Sequence, residues 1–296
     1  MESVAHCPRC NCSERAAALT ALDHTVSQEP FTISACMQCG LHFTDPRPEP
    51  DAIGAYYLSD KYISHTNGAN GLADRIYRQV RQFTLRNKHR MIARLRPGGA
   101  VLDIGCGTGD FLAYMAHKGY TTQGVEVSDS ARQQAQAKRL SVAASMAELP
   151  KASAYQVITL WHVLEHVADP LETLKELHLR SATGGLLVIA VPDRDSWDQR
   201  HYGAFWAAWD VPRHLFHFTR NDVHELLEKA GFVPVATRPM WFDAPYVSML
   251  SEQYRGAGKL TSLMKGGFWG MCSNLAALVS NRPTSSSLYI AEKRSG

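Results

Sequence analysis

The chain has 296 residues, of which 45% are hydrophobic and 20% charged, and its formal net charge is +3. The length exceeds one average domain, the composition is that of a globular protein, and so small a net charge argues against a dedicated nucleic-acid coat. No apolar run approaches the roughly 20 residues that span a bilayer, no signal-peptide pattern opens the chain, and the seven cysteines read as reduced thiols and metal ligands in a cytoplasmic protein.

The first segment, residues 1–50, carries two hooks, Cys7-Pro-Arg-Cys10 and Cys36-Met-Gln-Cys39-Gly40, separated by strand-like runs. Each hook brings two thiolates to one tetrahedral ion, and the glycine after the second suits a tight knuckle. This pattern resembles a zinc ribbon, with Cys7, Cys10, Cys36 and Cys39 holding a structural zinc and Cys12 as a spare thiol. A redox pair is the rival reading, but no βαβ pattern surrounds either hook. So short a segment has little core without metal. The proline-rich stretch Asp45-Pro-Arg-Pro-Glu-Pro50 then reads as a stiff connector and domain boundary.

Residues 51–96 form a lead-in. Tyr56, Tyr57 and Tyr62 precede a glycine- and asparagine-rich break at 65–71, which would suit a lid. From Asp74 to Arg96 the apolar period is helical, and eight Arg or Lys residues face Asp74 alone. A solvated helix face is the plain explanation. A basic edge for an anionic substrate or a membrane surface is the sharper one.

Residues 97–296 begin with Val101-Leu-Asp-Ile-Gly-Cys-Gly-Thr-Gly109, a buried parallel strand, a tight turn and then an apolar helix pattern. Bare backbone at Gly105, Gly107 and Gly109 lets a ligand approach closely. Glu126, near the end of the next strand, stands at the spacing that grips a ribose diol, so a nucleoside cofactor is expected. A dinucleotide fingerprint would place its third glycine where Asp110 stands, and a carboxylate is a poor neighbour for a pyrophosphate.

The alternating glycines, with Glu126 downstream, resemble the first motif of class I S-adenosylmethionine (SAM) methyltransferases. The resemblance implies an α/β fold: a Rossmann-like, doubly wound, seven-stranded sheet, here with a small N-terminal zinc ribbon. It implies that Asp103, Gly105, Cys106, Gly107, Gly109, Glu126 and Val127 hold SAM. Ser145 and Met146 fall at the family's adenine loop, where many relatives carry an aspartate, and Trp161 and His162 follow the fourth strand.

Strand and helix patterns alternate onward: a strand to Val127, a helix from Asp129 to Arg139, Val142 with its neighbours, a strand over Tyr155–Trp161 and another over Leu186–Val191. His162-x-x-Glu165-His166 matches an inverted zinc-protease pattern, but here it leaves a strand end. It is similar to the motif of ubiquinone-type O-methyltransferases, some of which have glutamate at the place of His162 and an implicated divalent metal. The histidine speaks against that metal, and Glu165 and His166 are read as capping the following helix.

Next comes an aromatic stretch, Tyr202 to Thr219, containing Arg213, His214 and His217. Aromatic walls exclude water and tolerate a sulfonium through their π faces. A histidine near its ordinary pKa can take the acceptor's proton. His214 is the expected base, His217 the alternative, with one of the two expected merely to pack. Arg213 is expected to hold an acidic substrate group. A helix from Asn221 to Phe232, a strand over Val233–Arg238 and a last strand over Ser287–Glu292 close the pattern. Between those strands, the insertion at 240–283 has an apolar side of Phe268, Trp269, Met271, Leu275, Leu278 and Val279 and is expected to cover substrate.

The expected activity is methyl transfer from SAM to oxygen or carbon, less readily nitrogen, of a small anionic or carrier-linked (phosphorylated, lipid- or nucleotide-linked) metabolite. Two other classes remain open: an RNA methyltransferase using ribbon and basic helix, and a non-catalytic SAM-binding scaffold. No transmembrane partner is expected, a peripheral membrane contact stays open, and sequence does not decide the oligomeric state.

Overall fold

The structure, a computed structural model, describes residues 1–57, 72–150, 154–280 and 282–294, with side chains 72–78 left aside. The lid expected at 65–71, Tyr62, and the side chains of Asp74, Arg75, Ile76 and Arg78 lie outside the described residues.

Two sheets organise the chain. The first joins β1 (Arg15–Leu22), β2 (Pro30–Cys36), β3 (His42–Thr44) and, from far along the sequence, β9 (Phe216–His217). All three pairings are antiparallel, and β3 meets β9 with His42 opposite His217 and Phe43 opposite Phe216. The N-terminal segment therefore shares a sheet with the aromatic stretch, across the proline-rich residues. Asp45 in that stretch is buried, accepts the Val4 amide at 2.9 Å and pairs with Arg15.

The second sheet contains β4 (Ala100–Ile104), β5 (Thr121–Val125), β6 (Val142–Ala143), β7 (Tyr155–Trp161), β8 (Ser181–Pro192), β10 (Phe232–Pro239) and β11 (Ser286–Lys293). Its spatial order is β10-β11-β8-β7-β4-β5-β6. Strands β4 to β8 run parallel, and β11 lies antiparallel between β8 and β10. Successive residues of the central strands are apolar because both faces are covered. Leu102, Ile104, Ile158, Leu160, Leu187 and Ile189 pack on one face; Val101, Val157, Val188 and Ala190 pack on the other.

The helices are α1 (Leu72–Leu95), α2 (Asp110–His117), α3 (Asp129–Ala137), α4 (Pro170–Arg180), α5 (Trp197–Tyr202), α6 (Arg220–Lys229), α7 (Asp243–Tyr254) and α8 (Lys259–Ser280). Ile92 of α1, Leu112 and Met115 of α2 and Ala135 of α3 join the second face; Leu174 and Leu177 of α4 and Leu226 of α6 join the first. Helix α4 is capped by Asp169, which accepts the Glu172 amide at 3.0 Å, with Pro170 opening the first turn. Glu165 and His166 do not perform that cap. They sit in a short 3-10 turn, Leu164–His166, upstream of it.

The insertion at 240–283 folds as the hairpin of α7 and α8. Of the apolar side expected on α8, Trp269 packs, with its ring centre 5.8 Å from Trp197 and 4.4 Å from His201, while the rest stays outside. Ser262, Gly266 and Gly270 face α7 and Ser273 donates to Asp198 of α5 at 2.8 Å, whereas Phe268, Met271, Leu275, Leu278 and Val279 are exposed. Among the described residues, no helix is long and apolar enough to cross a membrane.

Candidate active site

Strand order reverses between β4 and β7, so a crevice opens at their carboxyl ends, the place where open α/β sheets bind ligands. The glycine loop leaves β4 there. Gly105 and Gly107 adopt φ of +65° and +55°, which L residues rarely take. A Cβ on Gly105 would stand 2.5 Å from Val163 Cγ2, whereas one on Gly107 would meet nothing within 4 Å among the described residues. The loop is thus packed on its inner side and bare on its outer side, as a cradle for a ligand requires.

Glu126 lies just past β5, with its carboxylate accepting the Gly107 and Ser128 amides, each at 2.8 Å. Val127 beside it is 82% exposed. Cys106 is buried and packs into the sheet's second face, and Gly109 precedes α2, where a Cβ would strike Leu140. Ser145 and Met146 open a 3-10 turn just past β6. Asp103 is buried under the loop, held by the Thr159 hydroxyl at 2.5 Å; burial pushes its pKa up to about 7. Strands β4, β5 and β6 thus bring the residues expected to hold the cofactor to one edge of the sheet.

Trp161 ends β7 and packs edge-on against Phe111 of α2, with ring centres 5.5 Å apart. The Lys88 ammonium of α1 lies 3.7 Å from the centre of the Trp161 ring. Burial draws this lysine down to about 8, against the attraction of Asp103 and Asp243. Sequence reading saw only a basic helix here. The positioning of one of its cations over the tryptophan was not visible in periodicity.

His162, the residue after Trp161, holds φ of +57°, uncommon for a side chain of its size. It lines a cavity of about 800 Å³ together with His24, His166, Asp210, His214, Asp243 and the α7 residues Tyr246, Val247, Met249 and Leu250. His162 Nδ1 is 3.3 Å from Glu165 Oε1 and its Nε2 3.3 Å from Asp243 Oδ2. Burial opposes its charge, but the two carboxylates prevail and raise its pKa to about 10. His162 remains 37% exposed on the cavity wall, so water screens part of that attraction.

The three expected catalytic residues separate. His214 lines the cavity, with Nδ1 2.9 Å from the Ala208 carbonyl. His217 turns into the interior, packs edge-on against Trp209 and places Nε2 3.1 Å from the Thr44 hydroxyl. Burial holds it well below its ordinary pKa. Arg213 is 1% exposed, and its guanidinium is engaged by Asp23 at 2.9 Å, Asp210 at 2.7 Å and the Tyr56 carbonyl at 2.8 Å. An arginine so enclosed clamps the N-terminal segment to the aromatic stretch and does not line the cavity. Helix α7 belongs to the insertion expected to cover substrate, but its individual residues, Asp243 among them, and His24 were not singled out, because each reaches the cavity from more than 75 residues away along the chain from His162.

Cys7, Cys10, Cys36 and Cys39 converge as expected. All four are free, with Cys7 and Cys39 sulfurs 3.5 Å apart and Cys10 and Cys36 sulfurs 3.4 Å apart. A tetrahedron with Zn–S bonds of about 2.3 Å has edges of about 3.8 Å, so the thiols fit one zinc ion. Cys12 stands apart, its sulfur accepting the Glu14 amide at 3.3 Å.

The methyltransferase-domain family matches residues 76–237, more than half of the chain. The ubiquinone biosynthesis O-methyltransferase of Cereibacter sphaeroides is 29% identical over 160 residues, covering 49% of this chain and 65% of that protein. The protein of the same description from a Ruegeria species is 29% identical over 162 residues, with the same coverage. The chain thus matches just under two thirds of these relatives' own length. The crystal structure of a SAM dependent methyltransferase from Archaeoglobus fulgidus superposes with a TM-score of 0.50 at 19% identity, covering 72% of this chain and 94% of that one, a likeness of fold.

Proposed function

The chain belongs to the methyltransferase-domain family, and on that premise we propose that it transfers a methyl group from SAM to a small acceptor held in the cavity beneath α7. The observation that carries this reading is the shared wall. Trp161 packs against α2, which springs from the glycine loop, while His162, its neighbour in the chain, lines the cavity. Cofactor bed and acceptor chamber are two sides of one strand end.

SAM supplies the methyl as an electrophile on a sulfonium centre. Glu126 is placed to exchange its present amide partners for the ribose diol, and Gly107 leaves room beside it. Asp103 offers a carboxylate under the loop to the amino-acid end. Trp161 offers its π face to a cation, as it already does to Lys88. The cavity volume suits a metabolite-sized acceptor, and the apolar side of α7 excludes water from it. His214 donates Nδ1–H to a carbonyl, which leaves its Nε2 lone pair for the proton of an acceptor hydroxyl.

Oxygen is the acceptor atom favoured, because His214 lines the chamber as a proton acceptor and because the relatives described above are O-methyltransferases. The expectation of an anionic acceptor loses the arginine that carried it, so a hydroxylated small molecule is proposed. The insertion serves as the acceptor's cover, and the four thiols as a structural zinc site.

The test uses methyl-labelled SAM with a small-molecule extract. Glu126→Ala should weaken SAM binding about 10- to 100-fold in calorimetry, the value of one or two hydrogen bonds to a charged group. His214→Asn should keep that affinity and lose turnover at least 100-fold. Uptake of a nicotinamide dinucleotide instead of SAM, or labelling that His214→Asn leaves intact, would overturn the reading.

A further inference from the structure

Glu165 is a buried carboxylate whose contact to His162 Nδ1, at 3.3 Å, is long. It is 1% exposed, and no hydrogen bond reaches either carboxylate oxygen. Its nearby cation, His162, is shared with Asp243, so one imidazolium faces two carboxylates. A buried carboxylate that shares its one nearby cation is costly, and proteins commonly supply such a group with a further partner.

Two imidazoles converge on the same place. His166 Nδ1 lies 2.9 Å from the Arg213 carbonyl, and His214 Nδ1 lies 2.9 Å from the Ala208 carbonyl. A carbonyl only accepts, so both rings carry their proton on Nδ1 and leave Nε2 as the ligand atom, which in His214 also stands 3.8 Å from Asp210 Oδ2. The Tyr57 hydroxyl, 3.1 Å from His166 Nδ1, shares that N–H as a second acceptor. The rings meet edge-on with centres 4.6 Å apart. One ligand atom from each of Glu165, His166 and His214 lies within 4.8 Å of the others.

From this geometry we infer that Glu165, His166 and His214 form a second metal site, for a divalent first-row transition ion, in the wall of the acceptor cavity. Each ligand needs to move less than about 1 Å to reach ordinary metal–ligand distances near 2.1 Å. The Nδ1–H bonds to carbonyls are the supports that fix ligating histidines elsewhere. Two imidazoles and one carboxylate suit zinc, iron, cobalt or manganese better than magnesium or calcium. Three protein ligands leave positions open, and His166 and His214 line the cavity, so those positions face the acceptor. The linear His162-x-x-Glu165-His166 run is not the ligand set: His162 is turned to Asp243, and His214 comes instead from the aromatic stretch.

For catalysis, and on the methyl-transfer reading alone, an ion there would lower the pKa of an acceptor hydroxyl bound to it and replace a lone histidine as the means of deprotonation. The binding site itself does not depend on that reading.

Cobalt(II) alone, titrated into the metal-stripped full chain without SAM or acceptor, tests it. The thiolate cluster gives sulfur-to-cobalt charge transfer in the near ultraviolet, whereas a histidine–carboxylate site adds only weak visible bands. Two equivalents of the two kinds are expected. Glu165→Gln and His214→Asn should each keep the thiolate signature and weaken the second site by more than the roughly 100-fold that loss of a supporting partner can cause. A wild-type chain that takes up only thiolate-bound cobalt would overturn the inference, as would variants that still bind both equivalents. Should a variant misfold, its thiolate signature will be lost too, and the wild-type titration decides. Failure of methyl transfer would leave the metal count unchanged, so the two ideas fall separately.

Discussion

Single residues in this protein are decided by what distant segments bring to them. Asp193, just after β8, is 0% exposed, and its carboxyl accepts the Ser287 hydroxyl at 3.1 Å and the Asp195 amide at 3.2 Å. Burial outweighs those bonds and pushes its pKa up to about 7. A raised carboxyl means that the folded state binds a proton the unfolded state has lost, so stability falls as pH rises from about 4 to 7 and is level above. Asp193→Asn should therefore melt higher than wild type at pH 8, by about 2–4 kcal/mol, and lose that advantage near pH 4. Urea denaturation at the two values checks it, and an advantage equal at both would exclude ionisation as the cause. Arg213 teaches the same lesson from the other direction. Its residue type suggested a substrate anchor, but only Asp23, 190 positions upstream, decides that it turns inward. The glycine loop and Glu126 were legible because the chain itself sets their spacing within about one βαβ unit. The weak pairing of Glu165 was not, because it depends on which distant groups reach it.

At the scale of elements, periodicity located most strands and helices of the second sheet, since a parallel sheet buried on both faces leaves continuous apolar runs such as Val157 to Leu160. It misjudged α8, where size and burial are inverted. Small residues let α7 and α8 approach backbone to backbone, and large apolar residues other than Trp269 stay outside. A Cβ on Gly270 would stand 2.4 Å from Pro245 Cα, whereas one on Gly267 would meet nothing within 4 Å. Gly267→Ala should stabilise by up to about 1 kcal/mol through helix propensity. Gly270→Ala gains the same propensity but must push two backbones apart, at a cost of about 1–3 kcal/mol. The pair should thus move the melting temperature in opposite directions. Because Tyr246, Val247, Met249 and Leu250 of α7 line the cavity, Gly270→Ala should also raise KM for the acceptor while leaving SAM affinity alone. Equal melting temperatures for the two variants would show that α8 merely rests on α7.

Across the whole molecule, the thiol cluster and the cavity are mechanically one piece. Strand β3 follows the second cysteine hook directly and pairs with β9, and the Thr44 hydroxyl donates to the His214 carbonyl at 2.7 Å. Arg194 grips the Gly40 carbonyl at 3.0 Å, and Arg9 binds Glu225 and Asp222 of α6. The Asp23–Arg213 pair adds a tie fully out of solvent. The glycine loop, by contrast, hangs on β4, β5 and β7, none of which touches the first sheet through backbone pairing. Loss of zinc should therefore displace His214 and leave the cofactor bed standing. Cys36→Ser, which leaves Glu165, His166 and His214 themselves unsubstituted and strips no ion from them directly, separates these effects where a chelator would not. It should keep SAM affinity within about threefold by calorimetry and reduce methyl transfer at least 10-fold, a loss of about 1.4 kcal/mol or more in the transition state. Unchanged turnover would make the N-terminal segment an appendage. Loss of SAM affinity in a chain that still melts cooperatively would mean that the cofactor bed also leans on the zinc.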